Sequence, residues 1–443
     1  MLRLLHTSDW HLGHTLHGRD RRPEHRAFLE WLLEQLVAAK ADALLIAGDV
    51  FETANPPASA IQDLADFLAE ARRRLPDLDI VIIAGNHDSA QRLDAMAPML
   101  AFGDIHMIGA LPRREDGSLD ADRILVPLRD SSGGVVAQLA AVPFLRISDL
   151  PGPAEPQEGE EQDDEEASSW RGDPLIRGVE RIYAEVLEAA CERATPEQAL
   201  IATGHLYMRG TALSELSERK ILGGNQHAIP RAVFADDWAY VGLGHLHLAQ
   251  AVEQSQQVRY CGSPLPLSLS EADYEHQVLL ASFDGAELQL CQSLPVPRAV
   301  EVMRLPADGS APLDAVLFEL GQLQLDGSLA KERWPWLELR VLLEQPVPDL
   351  RAQLDRALRT LPLRLLKISV ERRGEGGSFA DFPTRRALER IDPQQVFSDC
   401  YERAYADRPD TELLAAFHEL REAIGRGDVG TAQLPPAAEG GGA

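Results

Sequence analysis

Residues 43–51, ALLIAGDVF, and 80–88, IVIIAGNHD, are two short apolar runs, each stopped by glycine followed by side chains that bind protons or metals. Runs of this length, rich in Ile, Leu and Val and bounded by glycine, read as buried strands. The opening segment, LRLLHTSDWHLG at 2–13, has the same form. Between these runs lie HRAFLEWLLEQLVAAK (25–40) and ASAIQDLADFLAEARRRL (58–75). Their apolar residues recur at i, i+3 and i+4, the spacing of helices packed on a sheet. Strand alternating with helix is the grammar of an α/β layered fold. In such sheets ligands bind beyond the carboxyl ends of the strands, where these polar residues converge.

The pattern resumes further along, in ALIATGHL (199–206), WAYVGLGHLHLAQ (238–250), VRYCGSP (258–264) and HQVLLASF (276–283). From about Pro297 a β-α-β-α-β run to Arg373 reads as a small separate α/β domain. A flexible GEGGS follows, then two helical patterns. One opens at Asp392-Pro393, an N-cap with proline at N1. The other spans Thr411–Ile424, with Leu413, Phe417, Leu420 and Ile424 on one face and Gly425 as a stop. The expected domains are therefore 1–285, 296–375, C-terminal helices within 385–428, and a frayed tail at 429–443.

The 443 residues carry 43 bases against 70 acids, a net −27. A surface this acidic repels polyanions, which argues against autonomous nucleic-acid binding through a broad basic face. Residues 151–170 hold eight acids and no base, and 151–175 reads as a solvated disordered insertion. Without those twenty residues 62 acids still face 43 bases, a net −19. Four scattered cysteines with no CxxC pair exclude a disulfide framework and point to a reducing cytoplasm. The first residues lack the apolar run of a signal peptide. No stretch reaches the about 18 apolar residues of a membrane span, so no membrane is expected. Arginine outnumbers lysine heavily (only Lys40, Lys220, Lys331 and Lys367 occur), a bias that a GC-rich genome explains.

Chemistry concentrates in five groups, each at the end of an apolar run: Asp9 and His11; Asp49; Asn86, His87 and Asp88; His205; His245 and His247. If residues 9–11 continue an extended strand, Asp9 and His11 share one side and Trp10 faces the core. Mixed Asp, His and Asn donors suit borderline divalent ions such as manganese, iron or zinc, not the all-oxygen shell of magnesium. Seven candidate ligands (Asp9, His11, Asp49, Asn86, His205, His245, His247) are too many for one ion. Two ions about 3.5–4 Å apart can share a bridging carboxylate, hold phosphate oxygens and activate water. The glycines before Asp49, Asn86, His205 and His245 let backbone crowd the site.

In this order the motifs resemble the calcineurin-like metallophosphoesterase superfamily. That resemblance implies a four-layer β-sandwich flanked by helices, and one ion held by Asp9, His11, Asp49 and His247. It implies the other held by Asp49, Asn86, His205 and His245, with His87 protonating the leaving oxygen and Asp88 orienting His87. The flanks HTSDWHLGHTLHGRDRRPEHRAFLEWLL, AGDVFETANPP, AGNHDS, IATGHL, WAYVGLGHLH and VRYCGSPLPLS are similar to the SbcD family of Mre-type nucleases, along essentially the whole chain. The acidic 151–170 segment departs from that pattern. The resemblance implies two Mn2+ ions, 3′–5′ exonuclease action on duplex ends, and endonuclease action on single strands and hairpins in DNA repair, replication and recombination. It implies a capping α/β domain, an SMC-like SbcC ATPase as partner, a homodimer within a heterotetramer, and a cytoplasmic, nucleoid-associated place. The stripe Leu413, Phe417, Leu420, Ile424 would dock on the partner's coiled coil.

Other residues carry weaker expectations. His6 precedes the strand end and reads as structural. His14, His17, Arg19, Arg21 and Arg22 form a polar loop beside the site, where His17, Arg19 and Arg22 are candidate DNA-backbone contacts. Two rival functions remain open: a small-molecule phosphoesterase of the same fold, which has no need of the extra domain and helices, and a non-catalytic scaffold, which has no need of His87.

Overall fold

Strand Ala43–Ala47 is buried at every residue, and so is Asp79–Ile83. Both faces are covered, and alternation decides which core each side chain joins. Leu44, Ile46, Ile80 and Ile82 enter a cluster under helices Arg22–Ala39 and Ala58–Arg74. Leu45, Ala47, Val81 and Ile83 enter a second cluster with Leu139, Ile201 and Tyr240 from the facing sheet. Continuous apolar runs are what a sheet buried on both faces requires. The computed structural model describes residues 1–151, 173–212, 228–345 and 347–372, together with residues 401, 409, 413 and 414 singly.

One sheet runs, in order, through Glu287–Pro295, Gln277–Asp284, Leu2–Thr7, Ala43–Ala47, Asp79–Ile83 and Ile105–Ile108. Its last four strands are parallel, and Gln277–Asp284 closes against Leu2–Thr7 antiparallel. The facing sheet runs Gln250–Ala251, Val258–Tyr260, Tyr240–Gly244, Ala199–His205, Val135–Ala141 and Leu125–Arg129. Helix Pro174–Arg193 covers its outer side through Ile182, Tyr183 and Val186. Helix, sheet, sheet and helix make the four layers. His6 lies between the sheets, its Nδ1 2.9 Å from the Tyr240 hydroxyl, and burial pushes its pKa down to about 3. That is a structural histidine, as expected.

Residues 302–372 form a third sheet in which Trp336–Leu343 lies between Val302–Leu305 and Arg364–Arg372, all parallel. Helices Leu313–Gln322 and Leu350–Leu358 supply the crossovers, and Val316, Leu320, Leu339, Val341 and Leu354 form its own core. Trp336 fastens this sheet to the rest, packing with Leu16, Leu269 and Ala272. The Arg21 and Arg364 guanidiniums lie 5.5 and 5.3 Å from its ring centre. Arg21 is itself fully buried, held by Glu24 and the Pro266 carbonyl. Trp336→Ala is expected to destabilise the chain by about 3–5 kcal/mol, the range for a buried tryptophan, read from urea denaturation. An unchanged midpoint would remove Trp336 as the fastening.

The expected acidic insertion from residue 152, the GEGGS linker, the Asp392-Pro393 cap and the residues Phe417, Leu420 and Ile424 lie outside the described residues. Leu413 is exposed. Cys191, Cys261 and Cys291 are free thiols. Among the described residues no helix is long and apolar enough to cross a membrane.

Candidate metal centre

The strand Leu2–Thr7 ends two residues before Asp9, so the expectation of an extended Asp9-Trp10-His11 segment needs correction. Asp9 and His11 take left-handed backbone, with φ of 55° and 46°. Asp9 N–H still donates to the Gly48 carbonyl at 3.0 Å, and His11 N–H to the Asp49 carbonyl at 3.0 Å. The two chain segments therefore turn together while staying paired. Trp10 goes to the core as expected, edge-on to Phe28 and Phe67. Asp49 and His245 are also left-handed, at 49° and 102°. Backbone in this region costs of order 1–3 kcal/mol per non-glycine residue and gathers at functional sites.

The seven candidates converge. Asp9, His11 and His247 offer ligand atoms within 4.8 Å of one another, and so do Asp9, Asp49 and His205. One Asp49 oxygen lies 3.5 Å from His11 Nε2 and 3.4 Å from His205 Nε2, between the two groups. The Asn86 amide oxygen sits 3.0 Å from His205 Nε2 and 3.1 Å from His245 Nδ1. Glycine is needed for this closeness. A Cβ on Gly85 would fall 2.1 Å from Asp49 Oδ1, and one on Gly48 2.4 Å from His205 Nδ1.

Burial and mutual charge shape the protonation states. Burial would raise the Asp49 carboxyl, but the neighbouring His205 imidazole holds it well below the usual range. Burial would lower His205, yet Asp49 keeps its pKa up at about 9. His245 is pushed down to about 3 by burial and by the His205 charge. His11 Nε2 is buried with no hydrogen-bond partner among the described residues. An orphaned imidazole nitrogen facing a buried carboxylate is a site built for a cation, so the donor set fits divalent ions.

His87 is 9% exposed, and its ring centre lies 4.7 Å from that of His11. The expected Asp88–His87 pairing is replaced. Asp88 accepts the backbone N–H groups of Val50, Phe51 and Gly85 at 2.9–3.1 Å, stitching two ligand loops together. The His87 ring is held by the Glu52 carbonyl, 2.8 Å from Nδ1. A carboxylate facing three amides is already committed, and burial with the Asp49 charge pushes its pKa up to about 6. Arg22 also departs from expectation, because its guanidinium makes two bonds to Asp63 at 2.8 and 3.0 Å. His17 and Arg19 are exposed on a small hairpin whose tip, His17-Gly18, has the two positive φ values of a type I′ turn.

Sequence reasoning missed two residues. Glu52 Oε2 lies 2.9 Å from His11 Nδ1. Glu271, fully buried, places Oε1 2.9 Å from His247 Nδ1, and its Oε2 accepts the Leu267 N–H at 2.7 Å. Glu52 stands three residues after Asp49 and was legible as a nearby acid. Glu271 follows the VRYCGSPLPLS stretch by three residues, but no spacing rule ties it to His247, beside which a short turn places it.

Calcineurin-like phosphoesterases match residues 2–247, and the type 5 capsule protein repressor C-terminal domain matches residues 298–405. A relative from Rhodobacter capsulatus, named as the SbcD component of the nuclease SbcCD, is 41% identical over 400 residues, covering 90% of this chain and 94% of its own. Its namesake from Escherichia coli is 30% identical, with 90% and 92% covered. That from Bacillus subtilis is 35% identical over 288 residues, with 65% and 67% covered. On these matches the chain belongs to the calcineurin-like phosphoesterases and, within them, to the SbcD family of SbcCD nucleases.

Proposed function

We propose that this chain is the nuclease component of an SbcCD-type complex, hydrolysing phosphodiester bonds at DNA ends and in hairpins. The convergence of six nitrogen and oxygen donors with Asp49 carries that reading. Asp9, His11, Asp49 and His247 would hold one divalent ion, and Asp49, Asn86, His205 and His245 the other. The mixed donors suit manganese, iron or zinc, and the likeness to the SbcD family favours Mn2+ among them. Bound there, two such ions supply a grip on the scissile phosphate and an activated water. His87 does the proton work. With Nδ1 taken by the Glu52 carbonyl, Nε2 is the nitrogen that passes a proton to the departing sugar oxygen. The water oxygen bonds to phosphorus as the bond from phosphorus to the sugar oxygen breaks. The sugar oxygen takes the His87 proton, the proton lost by the water passes to solvent, and solvent returns one to His87. Asp88 holds the loops of Asp49 and His87 in register, and His17 and Arg19 meet the DNA backbone.

A net −27 makes a DNA-gripping partner part of the same proposal. That partner is an SbcC-type ATPase, which the stripe Leu413, Phe417, Leu420, Ile424 engages, with two copies of each chain per assembly. Reconstituted with the ATPase in Mn2+, the chain is expected to shorten linear duplex DNA from 3′ ends and to open hairpins. A chelator should stop both, and deleting residues 385–443 should release the ATPase. Hydrolysis of small phosphodiesters with no cleavage of any DNA would make the chain a small-molecule phosphoesterase instead.

A further inference from the structure

Three of the four proposed ligand histidines are backed by groups of two different kinds. His11 Nδ1 faces the Glu52 carboxylate and His247 Nδ1 the Glu271 carboxylate, each at 2.9 Å. His205 Nδ1 faces the uncharged Ala47 carbonyl at 2.9 Å, whereas His245 Nδ1 turns inward to the Asn86 amide oxygen at 3.1 Å, itself a proposed ligand, so neither contact sets a carboxylate behind the ring. The two carboxylate-backed histidines share one proposed ion, together with Asp9. The other ion has Asn86 in place of that second acid and only its share of Asp49. A carboxylate behind an imidazole fixes the tautomer, makes the ligating nitrogen more basic and adds negative potential at close range.

We infer that the two ions load in a fixed order: the Asp9–His11–Asp49–His247 site binds tightly and first, and the Asn86–His205–His245 site binds second and weakly. Glu52 and Glu271 are the positioning residues that create the difference. At limiting metal the chain holds one ion and an incomplete centre, so cation supply sets how much of it is competent. The inference rests on the two-ion reading above.

The test is a Mn2+ titration of the full chain without DNA, followed by calorimetry and by the electron paramagnetic resonance of free Mn2+. Two steps separated by about tenfold or more are expected. Asn86→Ala should remove the weaker step and leave the tighter one. In that background Glu52→Gln, which keeps an oxygen for His11 while removing the charge, should weaken the remaining step by about 10–100-fold. Glu271→Gln should act in the same direction. Glu271 is fully buried, so the partly exposed Glu52 carries the test should that second variant fail to fold. Two equal steps in the unaltered chain, or Glu52→Gln leaving the tight step unmoved, would overturn the order. A chain that loads in this order yet cuts no DNA with its ATPase would sink the nuclease reading and leave the loading order standing.

Discussion

Alanine at His87 is expected to lower DNA cleavage by about 10²–10⁴-fold while both ions still bind, the range for losing a positioned general acid. The sugar oxygen of DNA leaves poorly as an alkoxide, so it needs a proton as the bond breaks. His87 stands at the edge of the centre with one ring nitrogen pinned; its side chain is not among the proposed ion ligands, and the backbone N–H it gives Asp49 is kept by alanine. A p-nitrophenyl nucleotide ester leaves without that proton, so its hydrolysis should fall far less than DNA cleavage. Comparing the two substrates at saturating Mn2+ decides the matter. Equal losses on both would mean that His87 supports the site's shape instead of donating a proton.

Asp49→Asn should have the wider effect, emptying both sites together. Asp49 stands between His11 and His205, and its other oxygen accepts the His87 backbone N–H at 2.8 Å. Asparagine keeps the shape and removes the charge that both ions share. Bound Mn2+ per chain should fall from two toward none, and cleavage by about 10³-fold or more, since metal-borne charge stabilisation is worth several kcal/mol. Calorimetry reads the first and a DNA assay the second. Two ions bound at unchanged affinity would remove Asp49 as the shared ligand.

The strand runs at 2–7, 43–47 and 79–83 were legible because a sheet covered on both faces is filled mostly by apolar side chains, with Arg3, His6, Thr7 and Asp79 the polar exceptions along them. The site was legible for a related reason, since each run stops where its chain reaches the sheet edge and ligand residues begin. What stayed hidden was set by distance and backbone shape. Glu271 meets His247 through a contact spanning 24 residues, and no spacing rule reports it. The pairing expected between neighbours Asp88 and His87 failed because three amides, two from the Asp49 loop and one from Asp88's own, claim that carboxylate first. Arg22 looked available until helix Ala58–Arg74 brought Asp63 alongside it. The left-handed turns at Asp9 and His11 were invisible too, because neither residue type announces such a backbone as glycine does.

Those turns have a consequence for how this sequence can drift. Asp9, His11, Asp49 and His245 each hold a backbone shape that glycine would adopt freely. Any of the four replaced by glycine would relax the chain locally and delete a ligand in the same step. The sequence of greatest folding stability is therefore not the sequence that works, and the two optima are pulled apart at the metal centre itself. Left to selection for folding only, a lineage carrying this chain would lose its ligands first at the positions where they are least comfortable.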